Sequence, residues 1–187
     1  MRISMTTIFF IIIITLITKS ITSQLLRTSI FVRSRCFDDD KKMLVIGGKN
    51  VVTPYKKGLY AVSITRTFSG VHNRILHVGV LKINMFEDQF NNMDAFFQKS
   101  IEEGATHLIL FSIGTTHEKG VLEIIRVGIL SGEYEKIAVI LKKYSMRKFI
   151  SQSHGIRSPY VMIKDIKSKN AIQERTGPIG GTLVATI

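Results

Sequence analysis

Two stretches of alternating residues on either side of one turn constrain this chain more than any other feature. Gly58 to Ile64 reads GLYAVSI, and His72 to Ile83 contains RILHVGVLKI. In the second stretch Ile75, His77, Gly79, Leu81 and Ile83 share one face, and Leu76, Val78, Val80 and Lys82 the other. A side-chain period of two is the signature of a β-strand. Ser69-Gly70-Val71-His72-Asn73 has the residues of a hairpin loop between them. This pair is expected to form the antiparallel heart of a sheet.

Further elements surround it. Met43 to Ile46 (MLVI) reads as a short apolar strand closed by Gly47-Gly48, and Thr106 to Ile113 (THLILFSI) as a buried one. Tyr160 to Ile166 and Leu183 to Ile187 return to strand, the latter behind the Gly-rich turn at Gly177–Gly181. Between these, Phe90, Met93, Asp94, Phe97 and Ile101 recur at helical spacing, which predicts a helix over 87–103 stopped by Gly104. Val121 to Leu130 and Tyr134 to Tyr144 show the same three-and-four spacing on either side of Ser131-Gly132. The order of strands, helix, strand, helices and strand predicts a mixed α/β (α+β) domain built in layers, and not a bundle.

The amino end stands apart from that pattern. Arg2 is followed by Ile8 to Ile17 (IFFIIIITLI), with Lys19 just beyond. This run falls short of the about 20 apolar residues that a membrane-spanning helix needs, and it has the length of a signal-peptide apolar region. Small residues near Ser20 and Ser23 suit cleavage, so 1–23 is expected to be a signal peptide; a retained anchor is the alternative. No stable membrane insertion is expected after cleavage.

The whole chain of 187 residues carries 26 Lys+Arg against 14 Asp+Glu, a formal charge of +12. Losing Arg2 and Lys19 with residues 1–23 leaves 24 against 14, or +10, so the basic character belongs to the domain. In a secretory compartment that charge points to cell-surface or matrix polyanions and away from nucleic acid. A single cysteine, Cys36, excludes an internal disulfide and a Cys-rich zinc site. A lone thiol in an oxidising compartment predicts an intermolecular disulfide and a homodimer.

Motifs of chemistry are missing from the sequence. His72, His77, His107, His117 and His154 show no HExxH or zinc-ligand spacing, and no metal or cofactor is expected. Asp38-Asp39-Asp40 lacks the alternate ligand spacing of a calcium loop, and Gly177–Gly181 lacks the helix and Lys of a phosphate loop. GxSxG does not occur, and Glu102-Glu103 read as a helix end, so the expectation is a protein that is not an enzyme. Basic residues gather at Lys41-Lys42, Lys56-Lys57 and Lys164–Lys169, and most strongly at Lys142, Lys143, Arg147 and Lys148. These four serve as favourable charge at a helix C-terminus and as candidates for an anionic ligand.

Taken in order, several segments resemble the secreted PANDER-like family of interleukin-like inducers of epithelial–mesenchymal transition. The residues that carry this are Cys36 with an acidic run and Lys42-Met43-Leu44, then Gly58-Leu59 opening an alternating strand. The hairpin with Phe86 behind it, the helix ending in Glu103-Gly104, and the Thr106–Phe111 strand continue the match. Ile156-Arg157-Ser158-Pro159-Tyr160 before a strand completes it. The chain departs from the family at Ser158, Pro159 and Tyr160, at Gly114–His117, and at 118–132, which looks inserted; the family's partners for Cys36 are also missing. The resemblance spans about residues 32–167, and the domain is taken as 32–187. It implies a compact β-β-α domain, two antiparallel sheets bordered by short helices, without catalytic machinery. It further implies a secreted cytokine-like factor acting through an extracellular protein receptor. Related domains bind carbohydrate, so the alternative is a module for glycans or glycosaminoglycans, with Arg157 and Tyr160 joining Lys142, Lys143, Arg147 and Lys148 as its candidate residues.

Overall fold

A computed structural model describes residues 5–25, 30–35, 44–46, 49–52, 56–67, 70–150, 158–168, 173–178 and 182–186. Two antiparallel sheets and a layer of helices make an α+β domain. The larger sheet runs β5 (Gly70–Gly79), β4 (Gly58–Thr67), β6 (His107–Ile113), β7 (Tyr160–Asp165) and β8 (Gln173–Thr176). The smaller runs β3 (Lys49–Val52), β2 (Leu44–Ile46), β1 (Ile30–Arg35) and β9 (Thr182–Thr186). They meet at a single parallel pairing, Arg35 with Ile113.

β6 explains the layering. Its LILFSI run is buried on both faces, as a central strand between two layers must be. Ile109, Phe111 and Ile113 join Tyr60, Val62, Ile64, Val161 and Ile163 against the smaller sheet, which contributes Val32, Leu44, Ile46 and Ala185. Leu108 and Leu110, with Leu59, Ala61 and Met162, face the helices instead.

Hydroxyls hold the junction of the sheets. Phe111 pairs with Val161, but one step further β1 takes the place that β7 would occupy. There the Tyr160 backbone N–H donates to Ser112 Oγ at 2.8 Å and Ser34 Oγ at 3.1 Å, and Ser34 Oγ donates to the Ser112 carbonyl at 2.7 Å. Side-chain oxygens thus replace a ladder bond in a fully buried place, where an orphan donor would be costly.

α2 (Phe86–Glu102) lays Phe86, Phe90, Met93 and Phe97 on the larger sheet. α3 (Val121–Ser131), α4 (Glu135–Lys143) and the short α5 (Arg147–Ile150) complete that layer. Gly128 is required where α3 meets the start of α4: a Cβ there would lie 2.0 Å from Tyr134 Cδ2. The Tyr134 ring therefore rests on the α3 backbone, edge-on to Phe86 at 5.1 Å.

The hairpin differs in detail from its expected form. Thr67 pairs with Gly70, so Gly70 to Asn73, expected in the loop, belong to β5, while Ser69 lies outside the described residues. At the other end Gly79 has φ +92, which ends the alternation. Leu81 consequently drops into the helix-side core instead of sharing the face of Ile75 and His77. The apolar front run sits in a longer helix, α1 (Met5–Leu25). Every residue from Ile8 to Thr18 is exposed, and no helix among the described residues is long and apolar enough to cross a membrane.

Candidate functional site

Lys142 and Lys143 occupy the last turn of α4, where cations complement the helix dipole. They then diverge. Lys143 Nζ reaches Asp94 Oδ1 of α2 at 2.8 Å. Tyr144 donates its phenol to the same oxygen at 2.6 Å and accepts from Gln98 Nε2 at 2.9 Å. Burial first, then Asp94, pushes the Tyr144 phenol far above its ordinary range. Lys143 is thus part of a brace between α2 and α4.

Lys142 instead lines a groove of about 410 Å³ between α3, α4 and α5. Ile129, Ala138, Leu141, Met146 and Ile150 give it an apolar floor, and Arg147 joins Lys142 at its edge. The turn that shapes it is a Schellman cap. Met146 N–H donates to the Leu141 carbonyl at 2.8 Å and Ser145 N–H to that of Lys142 at 3.1 Å. The left-handed position is held by Ser145 at φ +60, where glycine is easiest.

Tyr160 requires a correction. Expected as a surface ring for a ligand, it is fully buried, packed edge-on to Phe149 at 5.0 Å. Its phenol donates to Glu174 Oε1 of β8 at 2.9 Å. The same carboxylate accepts the backbone N–H of Lys148 at 2.8 Å and of Arg147 at 3.1 Å, and so caps α5. Burial, with Glu174 beside it, raises the Tyr160 phenol well above its usual value. Tyr160 opens a strand whose neighbours are buried on both faces, so its ring belongs to the core. Arg157 and Cys36 lie outside the described residues, as do Lys41, Lys42, Asp38–Asp40 and His154. Lys164, counted among the basic runs, is buried with Nζ on the Ser168 carbonyl at 3.0 Å.

A second concavity was not legible in the sequence. Ser63 and Thr65 of β4, His72, Asn73 and Arg74 of β5, and Ser100 and Glu103 at the end of α2 line a cleft of about 460 Å³. Strand register assembles it, since Ser63 lies opposite Arg74 and Thr65 opposite His72. Arg74 and Glu103 form an ion pair across its mouth. The only sequence signal was the shift to polar residues at the far end of β4.

The other histidines are hydrogen-bonded. His77 Nε2 lies 2.9 Å from the Lys57 carbonyl, and His107 Nδ1 lies 2.9 Å from Thr106 Oγ1. Buried His117, with Nδ1 2.6 Å from Thr116 Oγ1, is lowered by desolvation to about 4. Among the described residues no group of three His, Cys, Asp or Glu is arranged to hold a metal ion. No protein family, curated protein or solved structure matches the chain.

Proposed function

We propose that the chain is a secreted, non-enzymatic, cytokine-like factor of the PANDER-like type that acts through an extracellular protein partner. The observation that carries this reading is α1. Its Ile8–Ile17 side chains are exposed all round, while the sheets and remaining helices fill two cores of their own. Nine large apolar side chains in water are costly, which a signal segment avoids by being handed to the export machinery and removed. The β-β-α layering agrees with what the resemblance implies about the fold. Expression from Met1 in a secretory host tests the reading. The expected result is a chain in the medium whose mass has lost about the first 23 residues. A full-length chain held in the membrane fraction overturns it.

A second reading, a carbohydrate-binding module, draws support from the cleft on β4, β5 and α2, whose lining residues all carry hydrogen-bonding side chains. It moves the glycan site away from Tyr160. A glycan array on the released chain should give binding that Arg74→Ala abolishes; an empty array removes this reading. Dimerisation through Cys36 belongs with the secreted reading. Non-reducing gels of the released chain should show a dimer band that Cys36→Ser eliminates, and a monomer under both conditions removes the dimer.

A further inference from the structure

We infer that the groove between α3, α4 and α5 seats the apolar face of an acidic amphipathic helix presented by a protein partner. This deepens, and rests on, the reading of an extracellular protein partner. The groove has apolar side chains on its floor beside two cations, and its helices expose further apolar side chains. Leu130 is 83% exposed and Val139 58%, each one residue on from a lining residue, Ile129 and Ala138. One residue is a turn of about 100° on a helix, so these side chains stand on the two groove helices, turned away from its floor. Large apolar side chains left in water beside an apolar depression are the ordinary mark of a protein contact.

Charge selects the occupant. Lys142 and Arg147 line the groove, and among the described residues no carboxylate pairs with either side chain, whereas Lys143 is paired with Asp94. A second copy would bring the same two cations against themselves in a chain of formal charge +12. A sulfated glycan would satisfy the cations and leave the floor empty. A helix with an aliphatic stripe and flanking Glu or Asp satisfies both, in the manner of helix-in-groove recognition. Ser145 keeps the groove wall in a left-handed turn that costs stability, as residues at recognition sites often do.

The test uses the full chain and a fluorescent peptide of about 18 residues, some five helical turns, with leucines at i, i+4, i+7 and i+11 and Glu beside them. A scrambled peptide of the same composition is its control. Binding is expected to be at least about tenfold tighter for the striped peptide. Lys142→Glu with Arg147→Glu should weaken it by about tenfold, and Ala138→Glu, which sets a carboxylate among the lining residues, by a similar factor. The charge-matched control Lys119→Glu with Lys167→Glu should change it by less than about threefold. Equal binding of both peptides, or equal losses from the two charge-reversed pairs, overturns the inference. So does a concentration-dependent dimer, or binding to phosphatidylserine vesicles, that is lost in Leu130→Ser with Val139→Ser while peptide binding is unchanged. A chain that is released into the medium but ignores the peptide defeats this inference alone. A chain retained in membranes that still binds the peptide once solubilised defeats the secretion reading alone.

Discussion

The central strands of the larger sheet, β4, β6 and β7, are buried on both faces, but by different chemistry. Toward the smaller sheet the filling is mainly aliphatic strand residues, with Phe111 stacked on Tyr60 at 5.5 Å. Toward the helices it is rich in rings and thioethers: Phe90, Phe97, Phe149, Tyr144, Met93 and Met146 among them. That side also carries the polar braces, Tyr144 with Asp94 and Tyr160 with Glu174, and the groove. Strands at a fixed pleat interdigitate with little freedom, so the inter-sheet layer suits rigidity. Short helices joined by capped turns leave grooves and adjustable contacts. The comparison teaches that one sheet can carry a uniform aliphatic layer on one face and a ring-rich, polar-braced layer on the other.

The largest blow to the inter-sheet layer is Phe111→Ala. Phe111 is wholly buried, and its loss leaves a cavity that strands on either side cannot close, so about 4 kcal/mol of stability should disappear. The urea midpoint reads this directly. If the layers are separable, the folded fraction of the variant still binds the acidic helical peptide with the parent's affinity. A variant that stays folded but loses the peptide would merge the two faces into one unit.

Acid should attack the helix side. His117 is buried behind β6, bridged to Leu81, and titrates near 4 instead of its usual 6.5. The unfolded chain therefore takes up a proton, as the pH drops below about 6.5, that the folded chain refuses until about 4. Stability is whole above neutrality and falls through that window, by roughly 3 kcal/mol at most for this group. His107, lowered by burial and then by Arg66, acts in the same direction. Thermal midpoints from pH 7.5 down to 4 should fall less steeply in His117→Gln than in the parent; parallel curves would acquit His117.

How much of this was readable in the residues follows the same division. β6 was legible because a run buried on both faces is apolar without interruption, and α2, α3 and α4 because one stripe faces the core. β1, β3 and β8 leave little pattern: IFVRSR breaks off its apolar start after three residues, KNVV and QERT are four residues each, and only their neighbours make them strands. The Ser34–Ser112–Tyr160 knot joins residues far apart in sequence and leaves no local trace. Tyr160 is legible as the start of a strand, but the resemblance that makes it a ligand candidate carries no sign of the burial its neighbours impose. Lys142 and Arg147 were recognised as basic, yet their separation from Lys143 depends on which way α4 turns its last residues.

Glu174 sharpens the contrast at smaller cost. It accepts from the Tyr160 phenol and from two backbone N–H groups of α5, so Glu174→Ala leaves a buried hydroxyl and a helix start unpaired. A loss of about 2 kcal/mol is expected. Adding Tyr160→Phe should recover part of it, since the orphaned hydroxyl is then gone. A double-mutant cycle measures that coupling. Strict additivity would show that Glu174 works only as a cap.

The smallest effect goes the other way and bears on the groove. Ser145 occupies the left-handed position of the cap after α4, where an L side chain crowds its own carbonyl. Ser145→Gly relieves that and should raise stability by about 1 kcal/mol in urea unfolding, less the greater backbone freedom glycine gains when unfolded. The Met146 and Ser145 backbone bonds to Leu141 and Lys142 are unaffected by the change, so the wall keeps its course. A more stable chain with unchanged peptide affinity would show that the strain at Ser145 is incidental. A more stable chain that binds the peptide more weakly would show that the strained turn sets the groove for its partner, giving the helix side a cost in stability that the inter-sheet side does not bear.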